Sequence, residues 1–357
     1  MSNKEVKSMA TNYAGGQYKE YTAMLRQRMG ELPPFCAEFF RGIENETLVR
    51  TRYAYAGDLR NFFRYITSEL PRFAGREIRS LTLAELDTIS ATEIEMYLAH
   101  VSYYVDEDSR EVVNQDRAKA RKLSTIRSFY KYFCKKEKLR TNPPSMVDLP
   151  TIREKAIIRL EPNEVAVLLD VVQNGDGLTE KQKKYHARTQ KRDLAILTLF
   201  LGTGIRISEL VGINLDDVNF SANEFSIIRK GGNQDILVFG DEARAALLDY
   251  MLERERVIAE EGHEDALFLS LQRKRITVRA VENLVQKYAA IAVPLKKISP
   301  HKLRSTYGTT LYRETGDIYL VADVLGHKDV NTTRKHYAAA SEDRRRLAAK
   351  VVKLRED

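Results

Sequence analysis

A tyrosine near the C-terminal end of the sequence, Tyr337, follows by ten positions the histidine of Leu325-Gly326-His327. Upstream, Ser299-Pro300-His301-Lys302-Leu303-Arg304 sets a histidine and an arginine three residues apart. Roughly a hundred residues earlier, Gly202-Thr203-Gly204-Ile205-Arg206-Ile207-Ser208-Glu209-Leu210 carries a second arginine, and Lys230 stands between them in Arg229-Lys230-Gly231-Gly232-Asn233. Two guanidiniums can each present a planar fork to phosphate oxygens. Such fixed cations neutralise the charge of a phosphodiester transition state, where electrostatics and positioning supply most of the catalysis. A phenol, with a pKa near ~10, needs a base before it can attack. A lysine whose pKa is lowered by neighbouring cations can protonate the leaving oxygen. In this order, the set is suited to esterifying a tyrosine to a phosphodiester without a metal.

The surrounding sequence predicts how these groups are held. Ser299 and Pro300 suit the N-cap and first position of a helix, which puts His301 and Arg304 on one face of its first turn, beside the positive end of the dipole. A surface histidine and a salt-bridged arginine are the ordinary alternative. Gly326 supplies a left-handed turn after a helix ending near Leu325, leaving His327 on a tight bend. A further helix, capped by Asp329 or Asn331, then carries Thr332, Thr333 and Tyr337; alone, Tyr337 would read as a buried structural tyrosine. Arg206 follows an apolar helix and needs a counter-charge, either Glu209 or a bound phosphate. Lys230 falls at the tip of a hairpin between β-rich runs at 225–229 and 236–239, where an exposed turn lysine is common.

The rest of the chain reads as two domains, the natural division of 357 residues. Residues 1–30 are expected to be a flexible N-terminal arm, 31–148 a helical domain, 149–159 a linker, 160–340 the domain bearing the site, and 341–357 a tail helix. Helical periodicity runs over 47–67, 83–102 and 118–138. In the last of these Ile126, Phe129, Tyr130 and Phe133 face inward. Lys119, Arg121, Lys122, Arg127 and Lys131 are left to face elsewhere, as a solvated face or against a polyanion. Residues 160–172, 242–259 and 277–292 also read as helices. Residues 174–192 read as a basic surface excursion, with Asp193 capping a buried helix over 194–201. A net charge of +8 favours a polyanionic partner. No apolar run approaches the ~20 residues of a membrane span, and Cys36 and Cys134 read as reduced core thiols of a cytoplasmic protein, with no metal site expected.

Taken together, the chain resembles the tyrosine recombinases of the phage integrase family, in the style of the Xer-type site-specific recombinases, over nearly its whole length. Arg121-Lys122-Leu123-Ser124-Thr125-Ile126-Arg127-Ser128-Phe129-Tyr130 resembles part of their core-binding domain. The resemblance implies a mainly α fold with a small β-sheet: a helical, SAM-like core-binding domain followed by a mixed α/β catalytic domain. It implies Arg206 and Arg304 as the phosphate clamp, Glu209 as support and Lys230 as general acid. His301 would be an acid/base group, His327 a hydrogen-bond partner of the scissile phosphate, and Tyr337 the nucleophile, with no metal and no cofactor. The implied partner is double-stranded DNA with inverted-repeat arms, bound by a dimer on one site and a homo-tetramer on two, with a related recombinase or accessory protein as a further partner and no membrane. The location implied is the cytoplasm of a prokaryote, on the nucleoid. Residues 174–192 and the first thirty or so residues are longer than compact members need. Two rival readings are a type IB topoisomerase and a non-cleaving architectural DNA-binding protein.

Overall fold

The computed structural model describes residues 11–106, 109–151, 158–229, 232–327, 329, 330 and 333, with side chains from position 15 onward. Two compact units divide the chain, Met1–Lys155 and Ala156–Asp357. In the first, α1 (Thr11–Met29), α2 (Cys36–Gly42), α3 (Val49–Glu69), α4 (Leu83–Leu86), α5 (Ala91–His100) and α6 (Asp116–Lys135) enclose an aromatic core, and an antiparallel hairpin of β1 (Tyr103–Val105) and β2 (Glu111–Val113) joins α5 to α6. Leu59, Phe62, Phe63 and Ile66 recur at three- and four-residue intervals on α3 and are buried, as are Ile126, Phe129, Tyr130 and Phe133 on α6. Each such side chain contributes about 1.5–3 kcal/mol on burial. Phe129 meets Phe39, Phe63 and Phe133 edge to face. The core phenols keep their hydrogen bonds, Tyr97 donating to Asn61 Oδ1 at 2.9 Å and Tyr130 to the Leu86 carbonyl at 3.0 Å.

Several expectations for this unit fail for identifiable reasons. The stretch read as a loose arm folds over Thr11–Met29 as α1. Leu25 enters the core, Tyr21 packs edge-on against Tyr53, and the Arg28 guanidinium lies 4.4 Å above the Tyr53 ring. Cation–π and aromatic contacts hold a helix whose hydrophobic periodicity is weak. The single helix expected over 83–102 is two, because capping boxes at Thr82/Glu85 and Ser90/Glu93 each start one. Among the basic residues expected to face away from the core, Lys131 is exposed, Lys119 pairs with Asp116 at 3.1 Å, and exposed Arg121 bonds to Asp58. Lys122 and Arg127 do not face away. Lys122 is 6% exposed and reaches Asp58 at 3.6 Å, and Arg127 donates to the carbonyls of Pro144, at 2.9 Å, and Val147.

The second unit is built on α8 (Glu180–Thr203), against which α7 (Pro162–Asn174), α10 (Asp241–Arg254) and α12 (Pro300–Thr315) pack. It also contains α9 (Ile207–Gly212), α11 (Val278–Ala292), α13 (Ile318–Val324) and an antiparallel sheet in the order β3 (Val218–Asn219), β4 (Glu224–Ile228), β5 (Gln234–Val238). The register pairs Ile227 with Asp235 and Ile228 with Gln234, so the expected hairpin forms. The expected helix over 242–259 stops at Arg254, whose buried guanidinium gathers the carbonyls of Val257, Glu264 and Ala266.

The excursion expected over 174–192 is instead mostly the first half of α8, begun by a Thr179/Gln182 capping box. Asp193 is therefore no cap. It lies mid-helix, 1% exposed, accepting from Thr189 Oγ1 at 3.0 Å and Tyr288 Oη at 2.9 Å, beside Arg192 and Lys287. His186 Nδ1 is 3.0 Å from the same Tyr288 hydroxyl. The inward stripe of these turns is His186, Thr189 and Asp193, all polar, so hydrophobic periodicity could not reveal it. Beyond Asp193 the stripe turns apolar with Ile196, Leu197 and Phe200. Among the described residues no helix is long and apolar enough to cross a membrane.

Candidate active site

The end of α8 sets the first arginine. Gly204 closes the helix in the left-handed conformation (φ 62°), and a Cβ there would meet the Tyr307 ring at 2.5 Å and Leu325 Cδ2 at 2.8 Å. Only glycine permits both the turn and the approach. Two residues on, Arg206 is the N-cap of α9, and the nearly buried Glu209 accepts from its backbone N–H at 3.0 Å and from Nη1 at 2.7 Å. Thus Glu209 is the structural partner of Arg206, while Arg206 Nη2 points onward to the carbonyls of Leu325 and Gly326, each 3.1 Å away.

Arg304, 5% exposed at the start of the second turn of α12, reaches the same place. Its Nη1 donates to the Gly204 carbonyl at 2.5 Å and its Nη2 to the Leu325 carbonyl. Nη2 also faces His327 Nε2 at 3.4 Å. A guanidinium has only donors, so Nε2 carries the lone pair there, which assigns the proton to Nδ1 and makes it the donor to Thr333 Oγ1 at 2.7 Å. The His327 turn is fixed by Gly326 (φ 58°), whose N–H bonds to Asp323, and by the His327 N–H bonded to Ala322. His301 is exposed one turn ahead of Arg304. Ser299 occupies the N-cap as expected, yet its hydroxyl does not cap; its carbonyl takes the N–H groups of Lys302 and Leu303 instead.

The structure therefore brings together Arg206, Glu209, Arg304 and His327. Lys230, Tyr337, the Asn331 cap and the tail at 341–357 lie outside the described residues, as do Thr332 and part of the linker. Sequence reasoning missed Arg229. Its Nε donates to Asp235 Oδ2 at 2.6 Å, Nη1 to the Leu325 carbonyl at 3.0 Å and Nη2 to the Val324 carbonyl at 3.0 Å. The available signal was an arginine closing one strand with an aspartate near the start of the next. Tyr307 is half-buried against Val321 and Leu325, and burial pushes its phenol above the usual tyrosine range, a poor setting for a nucleophile. The guanidiniums of Arg206 and Arg304 thus converge on one oxygen, the Leu325 carbonyl.

Residues 159–344 match the phage integrase family. A tyrosine recombinase XerC of Caldanaerobacter subterraneus subsp. tengcongensis is 34% identical over 314 residues, covering 85% of this chain and 82% of the relative. Among solved structures, the Tn1549 transposon integrase in complex with circular intermediate DNA aligns with a TM-score of 0.61 at 18% identity, over 89% of this chain and 99% of that one. The XerH site-specific recombinase bound to a palindromic difH substrate, a post-cleavage complex, aligns with a TM-score of 0.60 at 18% identity, over 93% and 94%. These structural likenesses establish the mainly helical integrase fold.

Proposed function

The chain belongs to the phage integrase family and is a site-specific DNA recombinase, and we propose that it cuts and rejoins strands through a 3′-phosphotyrosine formed by Tyr337. Tyr337 Oη bonds to the scissile phosphorus as the bond from phosphorus to the 5′ oxygen breaks. The phenolic proton goes to a base, the role given to exposed His301, and the leaving oxygen takes a proton from Lys230. Arg206 and Arg304 neutralise the non-bridging oxygens, with Glu209 holding Arg206 in place. His327 is the hydrogen-bond partner of the scissile phosphate in this reading. A 5′-hydroxyl from a partner duplex then attacks the ester, so the bond energy is retained and ATP is unnecessary.

One observation carries this reading: two arginines nearly a hundred residues apart in sequence converge on the single carbonyl oxygen of Leu325, with His327 alongside. In the first unit, Lys119, Arg121 and Lys131 are assigned to the DNA backbone, while Lys122 and Arg127 brace the helix that carries them. Four protomers on two duplexes, joined through the tail at 341–357, complete the assembly, and the cytoplasmic nucleoid is its place of action. The relatives give no support to a topoisomerase or to an architectural protein that does not cleave. The test is a suicide duplex, nicked so that the cut fragment diffuses away, offered with a second intact site. Covalent capture and strand transfer support the reading. Capture without transfer points to a topoisomerase, and binding without capture sinks cleavage altogether.

A further inference from the structure

Three guanidiniums meet at the end of α13, and the phosphate chemistry uses only two of them. The Leu325 carbonyl accepts from Arg206, Arg229 and Arg304, although an oxygen has two lone pairs to offer. The recombinase reading gives Arg206 and Arg304 to the phosphate and leaves Arg229 without a part in it. Its side chain is 10% exposed and its fork spans Asp235 on the facing strand and the carbonyls of Val324 and Leu325. Arg229 is also a backbone anchor of the hairpin turn: its N–H bonds to the Asn233 carbonyl at 2.8 Å and its carbonyl accepts from Gly232 at 3.0 Å. Gly326 leaves the room it needs, since a Cβ there would fall 2.4 Å from Arg229 Nη1. Lys230 is the next residue in the sequence.

We infer that Arg229 is a positioning residue that fastens the base of the β4–β5 turn to the Val324–Gly326 turn, and so registers the general acid Lys230 against the arginine clamp. When Arg206 and Arg304 engage phosphate, Arg229 keeps the Val324 and Leu325 carbonyls satisfied and the hairpin docked. A lysine at 229 could reach one of these acceptors and not all three, because it lacks the planar fork. The inference rests on the recombinase reading, in which Lys230 protonates the leaving 5′ oxygen.

The test compares two nicked suicide duplexes, one ordinary and one with sulfur replacing the bridging 5′ oxygen at the scissile phosphate. In the second, the P–S bond breaks with its electron pair on sulfur. A thiol pKa near ~8.5 lets that thiolate leave without a proton. Arg229→Ala should bind DNA within threefold of the unaltered protein, form the covalent adduct at least tenfold more slowly on the ordinary duplex, and recover to within threefold on the sulfur duplex. Arg229→Lys should fall between the two. An unslowed Arg229→Ala, or a defect equal on both duplexes, overturns the assignment. Should Arg229→Ala fail to fold, Asp235→Asn carries the test, with at least a threefold slowing that the sulfur duplex removes and the same overturning outcomes. Failure of the unaltered protein to form any adduct would instead refute the recombination chemistry itself.

Discussion

Replacing Arg304 by alanine separates catalysis from stability in a way that can be worked from the contacts. Among the described contacts, the change removes those to the Gly204 carbonyl, the Leu325 carbonyl and His327 Nε2. Leu325 O keeps Arg206 and Arg229 as donors, so its loss is slight. The Gly204 carbonyl loses a charged donor at a buried position, a cost of roughly 1–3 kcal/mol. Against a typical folding stability of about 5–15 kcal/mol, this leaves the protein overwhelmingly folded. Catalysis suffers more, because the removed fork stabilises charge in the transition state. A lost oxyanion donor costs about 2.7–4 kcal/mol, or ~10²–10³ in rate. Arg304→Ala should therefore unfold in urea with a modest loss of stability, and form adduct on a suicide duplex some hundredfold or more slowly at saturating DNA. Arg304→Lys restores charge without the fork and should recover only part of the rate. Adduct formation within threefold of the unaltered protein, or a rate loss no larger than the fraction unfolded, would refute the reasoning.

Other expectations follow from neighbouring contacts. Glu209→Ala removes a cap worth about 1 kcal/mol and a charged hydrogen bond worth about 1.5–3 kcal/mol, so urea unfolding should show roughly 3 kcal/mol of lost stability along with slower cleavage. Burial, with Lys287 adding to it and Asp193 opposing, holds His186 below the usual histidine range. Its contribution to stability is then present above about pH 6.5 and is lost as pH falls, since the unfolded chain takes up the proton first. Unfolding in urea at pH 7.5 and 5.5 should show this loss, and His186→Gln should flatten it. A chelator such as EDTA should leave adduct formation unchanged; inhibition would contradict a clamp made of guanidiniums. DNA affinity should fall steeply and log-linearly with salt as phosphate contacts release counterions, and a flat salt response would remove the basic face of the first unit from the account.

The parts of the site that were legible in sequence are those fixed by local chemistry. Gly204 before Arg206 and Gly326 before His327 announce left-handed turns beside a charge, and Ser299-Pro300 announces the helix that carries Arg304. The α3 and α6 cores were legible because their apolar residues keep helical spacing. Where the sequence misled, polar groups did the work of apolar ones. Asp193 looked like a cap because nothing local shows that Tyr288, almost a hundred residues later, supplies its hydrogen bond. Lys122 and Arg127 looked like surface charge because Asp58 and the carbonyls of Pro144 and Val147 reach them only through the tertiary fold. Arg229 was invisible for the same reason: two of its three acceptors are backbone carbonyls, which no residue pattern encodes.

The most direct measurement isolates the adduct from a suicide duplex, digests it, and sequences the nucleotide-bearing peptide by mass spectrometry while defining which strand end it holds. The account predicts a 3′-phosphate on Tyr337 and its disappearance in Tyr337→Phe with DNA binding intact. Linkage through Tyr307 or Tyr312, or through a 5′-phosphate, would contradict it.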